Sequence, residues 1–226
     1  MRRFWKEVSV TPENGVALDG KPVRTPGRAL LAAPTSRLAE AIADEWRGVG
    51  ESVDPRAMPM TGLTNAAIDR IGADPRRFAE GLAGYGETDL LYYRADSPAG
   101  LVARQAALWD PLLDWARDRY DVHFDLRIGV IHQPQPLATA RRLADAVTAL
   151  DPFRLAGLSP LVTVSGSLVA ALALLEGAAT ADAVWQAAMV DEDWQAEQWG
   201  ADDLAAAARA VRRADFDAGA RYLALL

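Results

Sequence analysis

The two histidines, His123 and His132, are the first residues of this chain that could carry acid–base or metal chemistry. They lie nine positions apart with Asp121 and Asp125 beside the first, a spacing that matches neither a familiar zinc cage nor an oriented catalytic triad. The string Ser165-Gly166-Ser167 lacks the G-x-S-x-G frame of a nucleophile elbow, and it favours the N-cap turn of a helix. We therefore predict loop residues at the histidines, no metal site and no catalytic residue.

Glu192 is the carboxylate with the least ordinary position. A helix predicted over residues 181–199 carries an apolar stripe, and at about 100° per residue Glu192 falls on that stripe close to Trp185. A carboxylate on a buried face needs a cationic or hydrogen-bonding partner. Two interpretations stay open: an internal ion pair, for example with Arg94 or Arg104, or a face that lines a groove for another protein. Aromatic residues around a charge are typical of protein–protein hot spots.

The composition excludes several other classes of partner. A net charge of −7 argues against nucleic acids and against anionic membrane surfaces. The chain has no cysteine, which favours a reducing compartment. We identify no signal peptide at the start, and the longest apolar run, residues 161–175, falls short of the roughly 20 residues that span a bilayer. We expect a cytoplasmic protein without membrane insertion.

The hydrophobic period changes along the chain and predicts an α+β fold. Alternating residues and turn dipeptides over residues 4–33 indicate a small antiparallel sheet, followed by one helix that contains Trp46. Residues 58–226 read mainly as helices, including 137–150, 160–175, 181–199 and 202–226, with a strand pair or extended loop at 122–130. We place the domain boundary between a β-rich domain, 1–57, and a helical domain, 58–226.

Six strings taken together resemble one known family, and they run in order along nearly the whole chain. They are Leu18-Asp19-Gly20-Lys21-Pro22-Val23-Arg24-Thr25-Pro26, Leu38-Ala39-Glu40-Ala41-Ile42-Ala43-Asp44-Glu45-Trp46, Met58-Pro59-Met60-Thr61, Thr88-Asp89-Leu90-Leu91-Tyr92-Tyr93-Arg94-Ala95, Gln105 with Trp109-Asp110-Pro111, and Asp191-Glu192-Asp193-Trp194-Gln195-Ala196-Glu197-Gln198-Trp199-Gly200. This series resembles the assembly chaperones of the ATP synthase α subunit, which occur in mitochondria and α-proteobacteria.

The resemblance implies a small β-rich N-terminal domain and a larger helical C-terminal domain. It implies a protein that binds the free α subunit of the F-type ATP synthase head until the β subunit takes its place, without cofactor, metal or catalysis. It places an important acidic residue in the segment 191–193, which we assign to Glu192 with a shift of one residue open. The client-binding residues would be Glu192, Asp193, Trp194, Gln195 and Trp199, and Trp46, Asp89 and Arg94 would have structural or interdomain roles.

We expect a monomer, in the cytoplasm of a bacterium or, for eukaryotic relatives, in the mitochondrial matrix. Two alternatives remain at the level of the sequence. One is a peptide- or ligand-binding module with a different client. The other is an acid–base hydrolase that uses the histidines or paired carboxylates.

Overall fold

A computed structural model describes residues 1–200 and 202–226, and these residues form two compact units. The first unit comprises Met1–Pro75, Asp151–Gly157 and Arg221–Leu226, and the second comprises Arg76–Leu150 and Leu158–Ala220. The structure is mainly helical with a few short strands near the N-terminus, which confirms the predicted α+β class. The boundary at residues 57 and 58 stays a prediction.

The first unit contains a three-stranded antiparallel sheet, as the alternating N-terminal residues predicted. Its strands lie in chain order, β1 (Val8–Val10), β2 (Val16–Leu18) and β3 (Lys21–Pro22). Asn14 and Asp19 have φ values of 58° and 48°, a conformation that Asn and Asp tolerate better than most residues. The predicted turn dipeptides therefore produce the turns.

Nine α-helices lie in the described residues 1–200 and 202–226. They are α1 (Ser36–Arg47), α2 (Pro59–Ala66), α3 (Pro75–Ala83), α4 (Ala99–Tyr120), α5 (Leu137–Thr148), α6 (Pro152–Ser165), α7 (Leu168–Leu175), α8 (Ala181–Trp199) and α9 (Asp203–Leu225). A π-helical turn, Ala67–Ile71, extends α2, and single 3-10 turns lie at Pro55–Ala57, Gly84–Gly86 and Leu90–Tyr92. None of the helices that the structure describes is long and apolar enough to cross a bilayer.

The core of the second unit is built where α4 and α7 contact α8. Trp109 of α4 is fully buried and donates from its indole nitrogen to the Ala187 carbonyl of α8 at 2.7 Å. Every residue of α7 from Leu168 to Ala173 is buried, as its continuous apolar sequence requires. These contacts fix the position of α8, the element with most of the predicted site residues.

One helix differs from the prediction, and the structure decides one alternative that the sequence left open. The prediction of one continuous helix over 160–175 is wrong, because Gly166 has a φ of +69° and ends α6. Ser167 then caps α7 by accepting a hydrogen bond from the Ala170 amide at 3.0 Å. The stretch 122–130 is the predicted extended loop rather than a strand pair of its own. Its β5 (Arg127–Ile128) instead pairs in parallel with β4 (Tyr93–Arg94), about thirty residues upstream.

Candidate functional site: an aromatic groove with one carboxylate

The groove is positioned by α8, whose two ends match the sequence prediction. Thr180 caps the helix by accepting from the Ala183 amide at 3.2 Å, and Gly200, with a φ of +90°, ends it. Val184, Ala187, Met189 and Val190 are buried, but none of the residues from Asp191 to Trp199 is. The last two turns of α8 therefore present their side chains on the surface of the second unit.

We name the depression beside these turns the α4/α8 groove; its volume is ≈ 370 Å³. Its lining residues are Asp191, Trp194, Gln195 and Trp199 of α8, Leu101 and Gln105 of α4, the segment Tyr93, Arg94, Ala95, Ser97 and Pro98, and Gly129 and Val130 of the loop after β5. Four of the predicted client-binding or structural residues thus meet here: Arg94, Trp194, Gln195 and Trp199.

Asp191 is the carboxylate of the groove, and α4 holds it in place. Its Oδ1 accepts from Gln105 Nε2 at 2.7 Å, and the Oε1 of this buried glutamine accepts from the Ala95 amide at 2.8 Å. Both polar ends of Gln105 are thereby used, which fixes its rotamer and the direction of the Asp191 carboxylate. A partly exposed carboxylate with one oriented hydrogen bond can accept further bonds from a ligand.

The aromatic part of the groove has one fixed ring and one free ring. The Arg104 guanidinium lies 4.9 Å from the Trp194 ring centroid. The same guanidinium donates a hydrogen bond to Glu197 at 2.7 Å, and this bond lowers the pKa of Glu197 below its ordinary value. Gly100 of α4 also lies against this ring, since a Cβ added there would come 2.7 Å from Cη2 of Trp194. Trp199 is 78% exposed, so its ring is available to another molecule.

Glu192 and Asp193 lie outside this groove lining and form ion pairs with α9. Glu192 accepts two hydrogen bonds from Arg212, at 2.8 and 2.7 Å, and its side chain is 44% exposed. Asp193 pairs with Arg209. The partners suggested for an internal pair, Arg94 and Arg104, are wrong, since these arginines pair with Asp110 and Glu197.

Asp89, Arg94 and Trp46 occupy structural positions whose predicted roles stay predictions. Asp89 is fully buried, accepts from the amides of Leu91 and Val169 at 3.0 and 2.9 Å, and its burial raises the pKa to about 6. Arg94 pairs with Asp110 at 2.7 Å and lies 5.1 Å from the ring centroid of Trp109. Trp46 is buried in the first unit, with its ring centroid 5.2 Å from that of Trp5.

The histidines form no catalytic arrangement in the part of the chain that the structure describes. His123 Nε2 lies 3.6 Å from Asp125, and His132 Nδ1 is 3.2 Å from the Tyr93 hydroxyl, so each has an ordinary polar neighbour. Residues 1–200 and 202–226 contain no group of three His, Asp or Glu side chains placed to hold a metal ion.

Sequence reasoning missed the places of Gln105 and Val130 at the groove, and it favoured Glu192 over Asp191 while a shift of one residue stayed open. The string 191–193 contains three consecutive carboxylates, and the periodicity of α8 placed Glu192 on its stripe. The elements packed around α8 decide which carboxylate faces the groove, and those contacts are long range. Gln105 was quoted in the resemblance, but its polar role could be found only once α4 and α8 were known to be neighbours.

A mostly helical fold whose surface groove combines an exposed tryptophan with one oriented carboxylate is typical of proteins that bind other proteins. The family described as ATP12 chaperone protein matches residues 2–117, and the chain belongs to this family. This membership confirms the resemblance found in the six motifs and makes the chain an ATP synthase assembly chaperone.

Two kinds of relative extend the match over the whole chain. The mitochondrial protein atp12 of Schizosaccharomyces pombe is 25% identical over 214 residues, which covers 88% of this chain and 74% of the yeast protein. The crystal structure of Atp12 from Paracoccus denitrificans is similar with a TM-score of 0.94 and 43% identity, over 99% of this chain and 97% of that one. An aspartate-to-lysine mutant of the same Paracoccus protein gives a TM-score of 0.93.

Proposed function

We propose that this chain holds the free α subunit of the F-type ATP synthase head through the α4/α8 groove. The observation that carries this proposal is the combination of an exposed tryptophan, Trp199, with an oriented carboxylate, Asp191, in one groove. A subunit that awaits its neighbours exposes apolar surface with a polar rim, and such surfaces aggregate when uncovered. The groove offers both kinds of contact.

Asp191 rather than Glu192 makes the central polar contact in this proposal. The carboxylate of Glu192 already accepts two hydrogen bonds from Arg212, whereas Asp191 accepts one from the neutral amide of Gln105. A basic or hydrogen-bond-donating group of the client would therefore gain more from Asp191. Trp194, Gln195 and Trp199 then contact the client around this charge, and Glu192 and Asp193 hold α9 against α8.

The chaperone acts in this proposal as a monomer in the bacterial cytoplasm, without catalysis and without a cofactor. Binding the folded α subunit lowers the concentration of free, aggregation-prone subunit by mass action. Assembly with β then releases the chaperone, provided that β binds α more tightly at the shared surface.

Co-purification tests the proposal. Tagged chaperone is mixed with purified α subunit before β is added, and retention of α is measured together with light scattering from aggregating α. We expect the wild type to retain α and to suppress scattering, and we expect later addition of β to release α. A chaperone that neither retains α nor slows its aggregation would overturn the assignment of this client and would favour a peptide-binding module with a different client.

Two variants test the groove. Asp191→Lys should abolish retention, whereas Asp191→Asn, which keeps an oxygen for Gln105, should weaken it. The matched control is Asp118→Lys, an exposed position of α4 outside the groove lining with the same change of charge. Retention of α by Asp191→Lys at the wild-type level would exclude the groove as the contact surface.

A further inference from the structure

The segment His123–Gly129, which leads into the groove, has backbone hydrogen bonds on one side. His123 donates from its amide to Thr139 Oγ1 at 3.3 Å and accepts from the same hydroxyl at 2.6 Å. Asp125 exchanges two bonds with the Gln135 side-chain amide, at 2.9 and 3.0 Å. Arg127 pairs with β4, and the Gly129 amide donates to the Arg94 carbonyl at 3.0 Å. Every second residue is thus bonded inward.

The backbone groups of Leu126 and Ile128, which alternate with these bonded residues, face the other side of the segment. In a strand, the amide and carbonyl of neighbouring residues face opposite sides, so those of Leu126 and Ile128 face away from β4 and Gln135. In the parallel register that pairs Arg94 with Ile128, the Gly129 amide donates to the Arg94 carbonyl, so the amide and carbonyl of Ile128 lie on the side away from β4. Leu126 is exposed and Ile128 is 72% exposed, so water or another chain can reach this edge.

The edge is also apolar and continuous with the groove. Val130 and Ile131 follow it at 90% and 80% exposure, and Val130 lines the groove that contains Asp191. Proteins usually protect exposed apolar edge strands with charges, proline or a covering element, because such edges pair with other chains. An uncovered apolar edge that ends beside an oriented carboxylate is suited to an extended peptide with apolar side chains followed by a basic one.

We propose that a short extended segment of the client α subunit adds as a strand to the edge formed by Leu126 and Ile128. Two amides and two carbonyls, separated by about 7 Å as in any strand, supply backbone bonds that do not depend on the client's side chains. Apolar client residues pack on Ile128 and Val130, and a basic residue beyond them reaches Asp191. This inference rests on the proposed function and gives it a binding mode.

Hydrogen exchange on the complex tests the pairing directly. Exchange is carried out on the wild-type chaperone bound to purified α subunit, quenched, and read residue by residue. We expect the amides of Leu126 and Ile128 to exchange at least tenfold more slowly in the complex, while those of Arg127 and Gly129, already bonded, change little. A complex in which the Leu126 and Ile128 amides exchange at the free rate would overturn the strand addition and leave the proposed function intact.

Ile128→Pro provides the second arm. Proline removes the outward amide but keeps an apolar side chain, and it is tolerated on edge strands whose amide faces solvent. We expect at least tenfold weaker binding of α at an unchanged melting temperature, and a smaller loss for the matched control Ile128→Ala, which keeps the amide. An equal loss in both variants would mean a side-chain contact alone and would overturn the pairing.

Two further outcomes would contradict the proposal in different ways. Protection of Leu126 and Ile128 that rises with the concentration of the chaperone alone would assign the edge to a second copy and overturn the proposal. Failure of the wild type to retain α would overturn this proposal together with the proposed function.

Discussion

Both halves of α8 contain tryptophan, but the environments of these rings are opposite. Before Asp191, Trp185 is buried with its ring centroid 5.6 Å from that of Phe216, and its neighbours pack on α4 and α7. After Asp191, the other two tryptophans of α8, Trp194 and Trp199, lie at or near the surface. The comparison teaches that the apolar stripe of a helix marks what can be buried, while the neighbouring elements decide what is buried. One helix thus supplies both core and binding surface.

The largest effect should come from truncating the buried tryptophan. Trp185→Ala removes a ring that packs on Phe216 and lies under the guanidinium of Arg213, and we expect a loss of roughly 3–5 kcal/mol in the free energy of unfolding. Urea denaturation followed by circular dichroism measures it, with Trp199→Ala as the control, which should change stability by less than about 0.5 kcal/mol. Equal losses in the two variants would remove the distinction between the halves.

Sequence patterns predicted local structure better than they predicted contacts. The ends of α8 were predictable because Thr180 and Gly200 are local signals that flank a 3.6-residue period. The pairing of β5 with β4 was not, since it joins segments about thirty residues apart and each strand has only two residues. The same limit applies to the site: the string 191–193 was found, but only the contacts of Asp191 with α4 and of Glu192 with α9 distinguish the two carboxylates.

The exposed tryptophan should have the next largest effect, on binding and not on stability. Aromatic hot spots cost about 2 kcal/mol or more when truncated, so Trp199→Ala should weaken binding of the α subunit roughly thirtyfold. Calorimetric titration with free α measures it. The matched control is Leu204→Ala, a position of α9 that is also highly exposed but lies outside the groove lining. If Leu204→Ala weakens binding as much as Trp199→Ala, the surface used by the client extends over α9.

The fixed ring of the groove should show an intermediate effect. In Gly100→Ala the new Cβ would overlap Trp194, and overpacking of this kind costs about 1–3 kcal/mol unless the ring moves. We expect destabilisation near the lower end of that range and weaker client binding, both measured against the same change in a Trp194→Ala background. In that background the substitution should be neutral or stabilising, because alanine is the better helix former. An identical effect with and without the ring would show that Trp194 does not fill this space.

The smallest effect should come from the carboxylate that the helical stripe singled out. Glu192→Gln removes one charge of a half-exposed ion pair with Arg212, and such pairs contribute less than about 1 kcal/mol. The variant Asp191→Asn removes the same charge from the neighbouring residue, which faces the groove. The comparison therefore tests the groove surface against the surface that contacts α9. We expect Glu192→Gln to bind the α subunit as the wild type does and Asp191→Asn to bind it more weakly, both measured by titration. If Glu192→Gln binds the α subunit more weakly than Asp191→Asn does, the client contacts the α9 side of α8. Glu192 would then have to leave Arg212 and pair with a basic group of the client.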